Sequence, residues 1–319
     1  MISTNTEKAE GTAPILVTGA HRSGTTWVGK MLTASGDTAY ISEPLNILHR
    51  IGVMRTATDS WYKYICESNQ SEYLPGLRET LELRYQTWSE IKSLRSIKDT
   101  ARMLRDWSTF LNGRIRQSRP LLKDPFAVFS APWFEKTFNC KVVITIRHPA
   151  AFVSSLKRLN WSFDFNHLLS QPLLMQDWLE PFRDQMVAVS KSDADLIAQS
   201  CLLWRVIYQT IAQFQKAYPQ FIFVRHEDLS INPISGFREL YKQLNLAFSA
   251  HAEKAILQSS NSDNPAEGFE TDVYSVRLNS RSNLDNWKHR LSSAEISRVH
   301  ELTRDAAALF YPDWNGDSA

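Results

Sequence analysis

Residues Gly19 to Thr26 read GAHRSGTT and crowd small and hydroxyl side chains around one arginine. A turn bounded by glycines, set before a helix, points backbone N–H groups and the positive end of the helix at an anion. Ser23, Thr25 and Thr26 add hydroxyl donors, and Arg22 adds a cation within the loop. The chemistry implied is the capture of a phosphate-like group. Gly19 and Gly24 fit the spacing of the GxxxxGK[ST] loop of kinases and ATPases, but Thr25 stands at the lysine position. A nucleoside triphosphate would lack its β/γ-phosphate lysine there, and only Thr26 would remain for Mg²⁺.

The segment RSGTTW, Arg22 to Trp27, follows an apolar strand and resembles the 5′-phosphosulfate loop of the PAPS-dependent sulfotransferases. Members of that family carry Lys or Arg where Arg22 stands, and the resemblance implies donor contacts from His21 to Trp27. A second match is RHPAAFVSS, Arg147 to Ser155. The family grips the 3′-phosphate of PAPS with a strand-end Arg and a Ser eight residues later, the spacing of Arg147 and Ser155. A guanidinium suits this role because its bonds to phosphate are charge-assisted and often bidentate. A third match is LLKDPF, with Lys123 lying 24 residues before Arg147. The resemblance implies that Lys123 touches the sulfonate or the 5′-phosphate.

One branch of the family has its catalytic His two residues after that Lys, where this chain has Pro125. The base implied instead is Glu43, in SEP, 21 residues after Arg22. Tyrosylprotein sulfotransferases and many bacterial members are similar in carrying a carboxylate at that spacing. A plain alternative for Glu43 is a helix N-terminal acid before Pro44. VRHEDL, Val224 to Leu229, resembles the family's YEDL segment near the adenine, with His226 at the Tyr position. Glu227 and Asp228 read as caps of the next helix. SRSNLDNWK, Ser280 to Lys288, resembles the loop that closes over the 3′-phosphate. Trp287 and Lys288 match, Arg281 falls on the Lys position, Ser280 replaces the family Arg, and both glycines are missing. Arg277 is the candidate to compensate.

Together these residues imply transfer of a sulfuryl group from PAPS to a hydroxyl or amine, leaving the bisphosphate product PAP. Arg22 and Lys123 would stabilise charge that grows on the leaving phosphate, and Glu43 would accept the acceptor's proton. No metal-ligand spacing stands out, so no metal is expected. Two other readings stay open: a P-loop kinase of a small molecule, and a non-catalytic nucleotide-binding protein.

Several elements must position these groups. Residues 14–18, Ala39 to Ser42, the run from Arg119 to Leu122, Lys141 to Ile146, and Phe221 to Val224 read as strands. Helical spacing begins at Thr25 and recurs over Ala151 to Leu159, Leu196 to Tyr218, Pro233 to Leu244 and Ala294 to Phe310. Strands apolar throughout, separated by helices, imply a central, mostly parallel sheet covered on both faces. The expected fold is α/β, a single P-loop-like three-layer domain over residues 1–319. Residues 1–13 should be disordered, and 45–119 and 160–195 should be helical insertions on the acceptor side.

The chain has 319 residues, 43 % of them apolar, and a net charge of only +2. That suits a large core and argues against a general nucleic-acid coat. Cys66, Cys140 and Cys201 give neither a disulfide framework nor a metal pair, so they read as buried thiols in a reducing compartment. No leader and no membrane span is visible, which places the expected protein in the cytoplasm, as a monomer or homodimer. The first insertion holds 13 Lys/Arg against 8 Asp/Glu and would favour an acidic acceptor such as a glycan. The second places Trp161, Phe163, Phe165 and Trp178 beside Asp164 and Asp177, which would suit a sugar or a cationic metabolite. Each cue has a plain alternative: a solvated helical face for the first, a packed lid for the second.

Overall fold

Ile15–Gly19, read as ILVTG, has no polar side chain except Thr18 and forms a strand, β1, buried along its whole length. Burial on both faces is what a strand inside a helix-covered parallel sheet requires. A computed structural model of the chain describes residues 13–48, 50–192, 195–261, 263–265 and 279–316. Arg277 and nearly all of the expected disordered stretch 1–13 lie outside those residues. In chain order the elements are β1, α1 (Thr25–Leu32), β2 (Thr38–Ser42), α2 (Gln70–Leu81), α3 (Thr87–Ser93) and α4 (Ile97–Ile115). Then come β3 (Arg119–Lys123), α5 (Ala131–Phe138), β4 (Lys141–Ile146) and α6 (Pro149–Leu159). Short helical turns between Asn166 and Phe182 lead to α7 (Arg183–Lys191), α8 (Leu196–Ala217), β5 (Ile222–Arg225) and α9 (His226–Ile231). The chain closes with α10 (Pro233–Gln243), α11 (Ala250–Ser260), α12 (Ser282–Arg290) and α13 (Ser293–Ala307).

The five strands form one parallel sheet in the order β2-β3-β1-β4-β5. Val17 and Ser42 both stand opposite Lys123, so the register fixes what lies beside that lysine. The expected α/β fold with a parallel sheet is therefore present. Some details differ. SRSNLDNWK is mostly helix, α12, where a loop was expected, because its two missing glycines no longer break the chain. β5 begins one residue later than expected and is half-buried throughout, as suits the sheet's edge. Cys140 and Cys201 are buried, but Cys66 is only partly so.

By its contacts the chain divides into two compact units. The first contains residues 25–143 with β1 up to Thr18 and the stretch 237–253. There α1 packs on β3 and α4 on β2, and the Trp27 ring meets Phe237 edge-on at 5.1 Å. The second contains residues 19–24, 144–236 and 254–319. There α8 packs against α6 and α13, with Trp204 and Tyr208 stacked at 4.4 Å. Asp195 caps α8 by accepting from Ala198 N–H, and a Ser292–Glu295 capping box starts α13. Among the described residues no helix is long and apolar enough to cross a membrane.

Candidate active site

In the first unit, the carboxyl ends of β2 and β3 bring Glu43 and Lys123 together. Lys123 Nζ donates to Glu43 Oε1, with the lysine side chain 1 % exposed and the glutamate 14 %. Asn46 Nδ2 donates to Glu43 Oε2 at 2.7 Å, and Glu43 N–H donates to Lys123 O at 2.8 Å. No helix starts at Glu43. Its backbone is left-handed, with φ 52°, an uncommon setting for a residue with a side chain. Asp124 holds this turn. Its Oδ2 accepts from Leu45 N–H at 2.6 Å and its Oδ1 from Phe126 N–H at 2.9 Å. Asp124 is fully buried, and that burial, with Glu43 next in weight, pushes its carboxyl up to about 7.

From the sequence, Asp124 reads only as the residue at which the third strand stops. Asp before Pro does signal a turn, and the bond to Phe126 N–H is the helix-capping habit of Asp. The bond to Leu45, 79 residues away, has no local signal.

In the second unit, the loop Gly19–Gly24 packs on the carboxyl end of β4. Ser23 is fully buried, and its hydroxyl bonds Ala20 O and Thr145 Oγ1, so it shapes the loop from within. Gly24 has φ +95° and lies under His226: a Cβ there would come within 2.6 Å of His226 Nδ1. Gly19 faces a similar limit at Thr145 O, 2.5 Å from where its Cβ would stand. The two glycines thus make a cradle that a side chain would fill. Arg22, at φ 66°, donates from Nε to Ser155 Oγ at 3.0 Å and places its guanidinium 5.8 Å from the Trp161 ring. Ser154, by contrast, turns its hydroxyl to Ala151 O.

Arg147 directly follows β4, and its Nη1 donates to Arg22 O. Its Nε is buried and has no partner among the described residues. Burial pulls the guanidinium below its usual range, while Glu227, Tyr208 and Tyr311 push back. Tyr208 Oη accepts from Arg147 N–H at 2.9 Å, and Trp204 Nε1 donates to Arg147 O at 3.0 Å. Neither aromatic was singled out from the sequence, since both sit inside one apolar helix. His21 meets Phe152 edge-on and is pushed down to about 3 by burial and Arg22. His226 is held at about 3 by burial and Arg147.

The remaining candidates divide. Thr25 and Trp27 are buried in the first unit, while Thr26 is half-buried. Trp287 is buried and stacks on His148 at 5.3 Å. Arg281 donates to Ile231 O at 3.2 Å on an exposed surface, and Ser280 bonds Ser230 O. Among the described residues Glu227 accepts from His148 N–H and Tyr311 O–H rather than capping α9. Of the aromatics in 160–195, Phe165 is buried and Trp178 packs on Phe214, while Trp161 exposes 41 % of its surface. Much of the positive charge of 45–119 is answered locally, by pairs such as Arg50–Glu90, Arg55–Glu79, Lys63–Asp59 and Arg105–Asp106.

The profile of the Sulfotransferase family matches residues 14–250. No curated protein matches the chain. Among solved structures it is similar to the sulfotransferase domain from the curacin biosynthetic pathway, at 18 % identity, over 91 % of this chain and 96 % of that one, with a TM-score of 0.48. It is also similar to the sulfotransferase domain of the Synechococcus PCC 7002 olefin synthase, at 17 % identity, over 92 % and 94 %, with a TM-score of 0.42. A third is sulfotransferase STF1 from Mycobacterium tuberculosis H37Rv, at 17 % identity, over 94 % and 80 %, with a TM-score of 0.40.

Proposed function

This chain belongs to the sulfotransferase family, and from that premise we propose that it moves a sulfuryl group from PAPS to a hydroxyl or amine of a carbohydrate or small metabolite, in the cytoplasm. The observation that carries the donor assignment is the buried, unpartnered Nε of Arg147, on a side chain tied to the glycine-bounded loop through Arg22 O. A buried donor without a partner is costly, and a phosphate oxygen would satisfy it. The cradle formed at Gly19 and Gly24 fits the same class of ligand. In parallel α/β sheets ligands bind outside the carboxyl ends of strands; Lys123 is the last residue of such a strand, and Glu43, Arg147 and His226 each directly follow one.

PAPS, when bound, supplies an activated sulfuryl group on a phosphate leaving group. Arg147 and Ser155 hold its 3′-phosphate, and the N–H groups of the Gly19–Thr26 loop hold the 5′ end. Trp27, His226, Arg281 and Trp287 complete the donor set. Arg22 and Lys123 answer the negative charge that grows as the bond breaks. Glu43 takes the acceptor's proton on its carboxylate, oriented by Lys123 Nζ and Asn46 Nδ2. A positioned base contributes ~10²–10⁴-fold.

Turnover of labelled PAPS over a panel of hydroxyl and amine acceptors tests the reading, with calorimetric titration of PAP against ATP beside it. Tight PAP binding, weak ATP binding and turnover that survives EDTA are expected. Tight MgATP binding with phosphoryl transfer would replace this reading with the kinase.

A further inference from the structure

The backbone on either side of the Arg147 side chain is held by residues from two other helices, α8 and α9. Its own N–H and C=O are bound by Tyr208 and Trp204 of α8. The next N–H, that of His148, donates to Glu227 Oε1 at 3.0 Å. The other oxygen of the same carboxylate, Oε2, accepts from Tyr311 O–H at 2.7 Å. Tyr311 follows α13 and lies beyond residues 14–250, the span that the family profile covers. It is 6 % exposed, meets the His148 ring at 4.9 Å and carries the Arg225 guanidinium 4.4 Å over its own ring. Trp314 adds a second edge-on contact to His148 at 4.4 Å, opposite in kind to the flat stacking of Trp287. A chain of contacts therefore runs from the C-terminal tail through one carboxylate to the residue after Arg147.

Glu227 is half-buried, and partly desolvating a carboxylate held between a backbone N–H and a phenol costs more than placing an apolar side chain of the same size there. What it provides is direction: two acceptor oxygens on one rigid group fix two donors relative to each other. Its negative charge also offsets the burial that disfavours the Arg147 cation. We propose that Glu227 and Tyr311 are positioning residues for Arg147, so that recognition of the donor's 3′-phosphate depends on the C-terminal tail. This rests on Arg147 being the 3′-phosphate ligand.

Calorimetric titration of PAP and of adenosine 5′-phosphate into the wild type, R147A, Y311F, E227Q and the double variant R147A/Y311F tests it, with thermal melting of each. The expected result is that Y311F and E227Q each weaken PAP about tenfold and leave adenosine 5′-phosphate within twofold. Donor KM should rise by a like factor with kcat nearly unchanged. In the R147A background, Y311F should add less than twofold, because the group it positions is gone. E227Q keeps the side chain's size and reads the same coupling should Y311F fold poorly. Equal losses for the two nucleotides, or full additivity with R147A, would mean that the tail only stabilises the fold and would overturn the proposal. If R147A left PAP affinity intact, the donor assignment and this proposal would both fall. If R147A weakened PAP and neither Y311F nor E227Q did, only this proposal would.

Discussion

The turn after β2 and the loop after β1 each hold a charged side chain on left-handed backbone, Glu43 at φ 52° and Arg22 at φ 66°. They settle that charge in opposite ways. Glu43 is answered by Lys123 and Asn46, and Asp124 beneath the turn spends both oxygens on backbone N–H groups. Around the loop, Arg22 bonds a neutral hydroxyl, and Arg147 keeps a buried donor without a partner among the described residues. A region whose charges are closed internally suits a group that passes a proton and returns to its starting state. A region where a buried guanidinium donor is left over suits a ligand that brings its own negative charge. Under the proposed function, the turn would supply the proton transfer and the loop the anion capture.

The sharpest way to break this division is Glu43→Gln, which preserves volume and removes the base. We expect kcat to fall by ~10²-fold or more, with PAP affinity near the wild type. A variant with full kcat, chemistry being rate-limiting, would remove Glu43 from that role. Arg147→Ala should show the reverse, a loss of about 10- to 150-fold in PAP affinity with little change for adenosine 5′-phosphate. Gly24→Ala tests the cradle itself. A left-handed backbone and a Cβ only 2.6 Å from His226 Nδ1 should cost about 1–3 kcal/mol, read as a lower Tm and weaker PAP binding.

The smallest effect concerns pH. Asp124 is held at about 7 when folded against an ordinary 3.8, so its stabilising contribution is full below about pH 4 and lost as pH rises through about 7. His21, His148 and His226, held at about 3 by burial, act in the opposite sense: their contribution is full above about pH 6.5 and lost toward pH 3. Subtracting the melting curve of Asp124→Asn isolates the first. The Tm advantage of the wild type over that variant should shrink between pH 5 and pH 7.5. A flat difference would show that Asp124 does not titrate there.

What the sequence disclosed about this site follows from distance along the chain. The glycine spacing of the loop, the strand-end Arg147 and the Ser155 one helix later are local patterns, and local geometry sets them. That Glu43 and Lys123 would be partners depends on β2 lying beside β3, a pairing between segments 80 residues apart that no motif announces. Ser23 misleads for a related reason. A hydroxyl in a phosphate-binding pattern reads as a ligand donor, yet Thr145 of β4 turns it inward. Glu227 looked like a helix cap because acids favour first turns, and only the fold supplies His148 and Tyr311 as stronger partners. The strands themselves were legible almost to the residue, since continuous apolar runs in a helix-rich chain have few other uses.

The left-handed backbone at Arg22 and Glu43 also bears on how this protein can be improved. At Asn139, Asn160 and Asn245 the chain fills the same conformation with the residue type that tolerates it. Arg22 and Glu43 depart from that habit, as do Tyr62, Leu83 and Gln117, and the proposed function gives 22 and 43 a reason to keep the strain. A random library screened for heat resistance alone should accumulate Asn or Gly at both positions and lose turnover as it gains stability. The same library screened for turnover should keep Arg22 and Glu43 and find its stability elsewhere, so the two screens diverge first at these two codons.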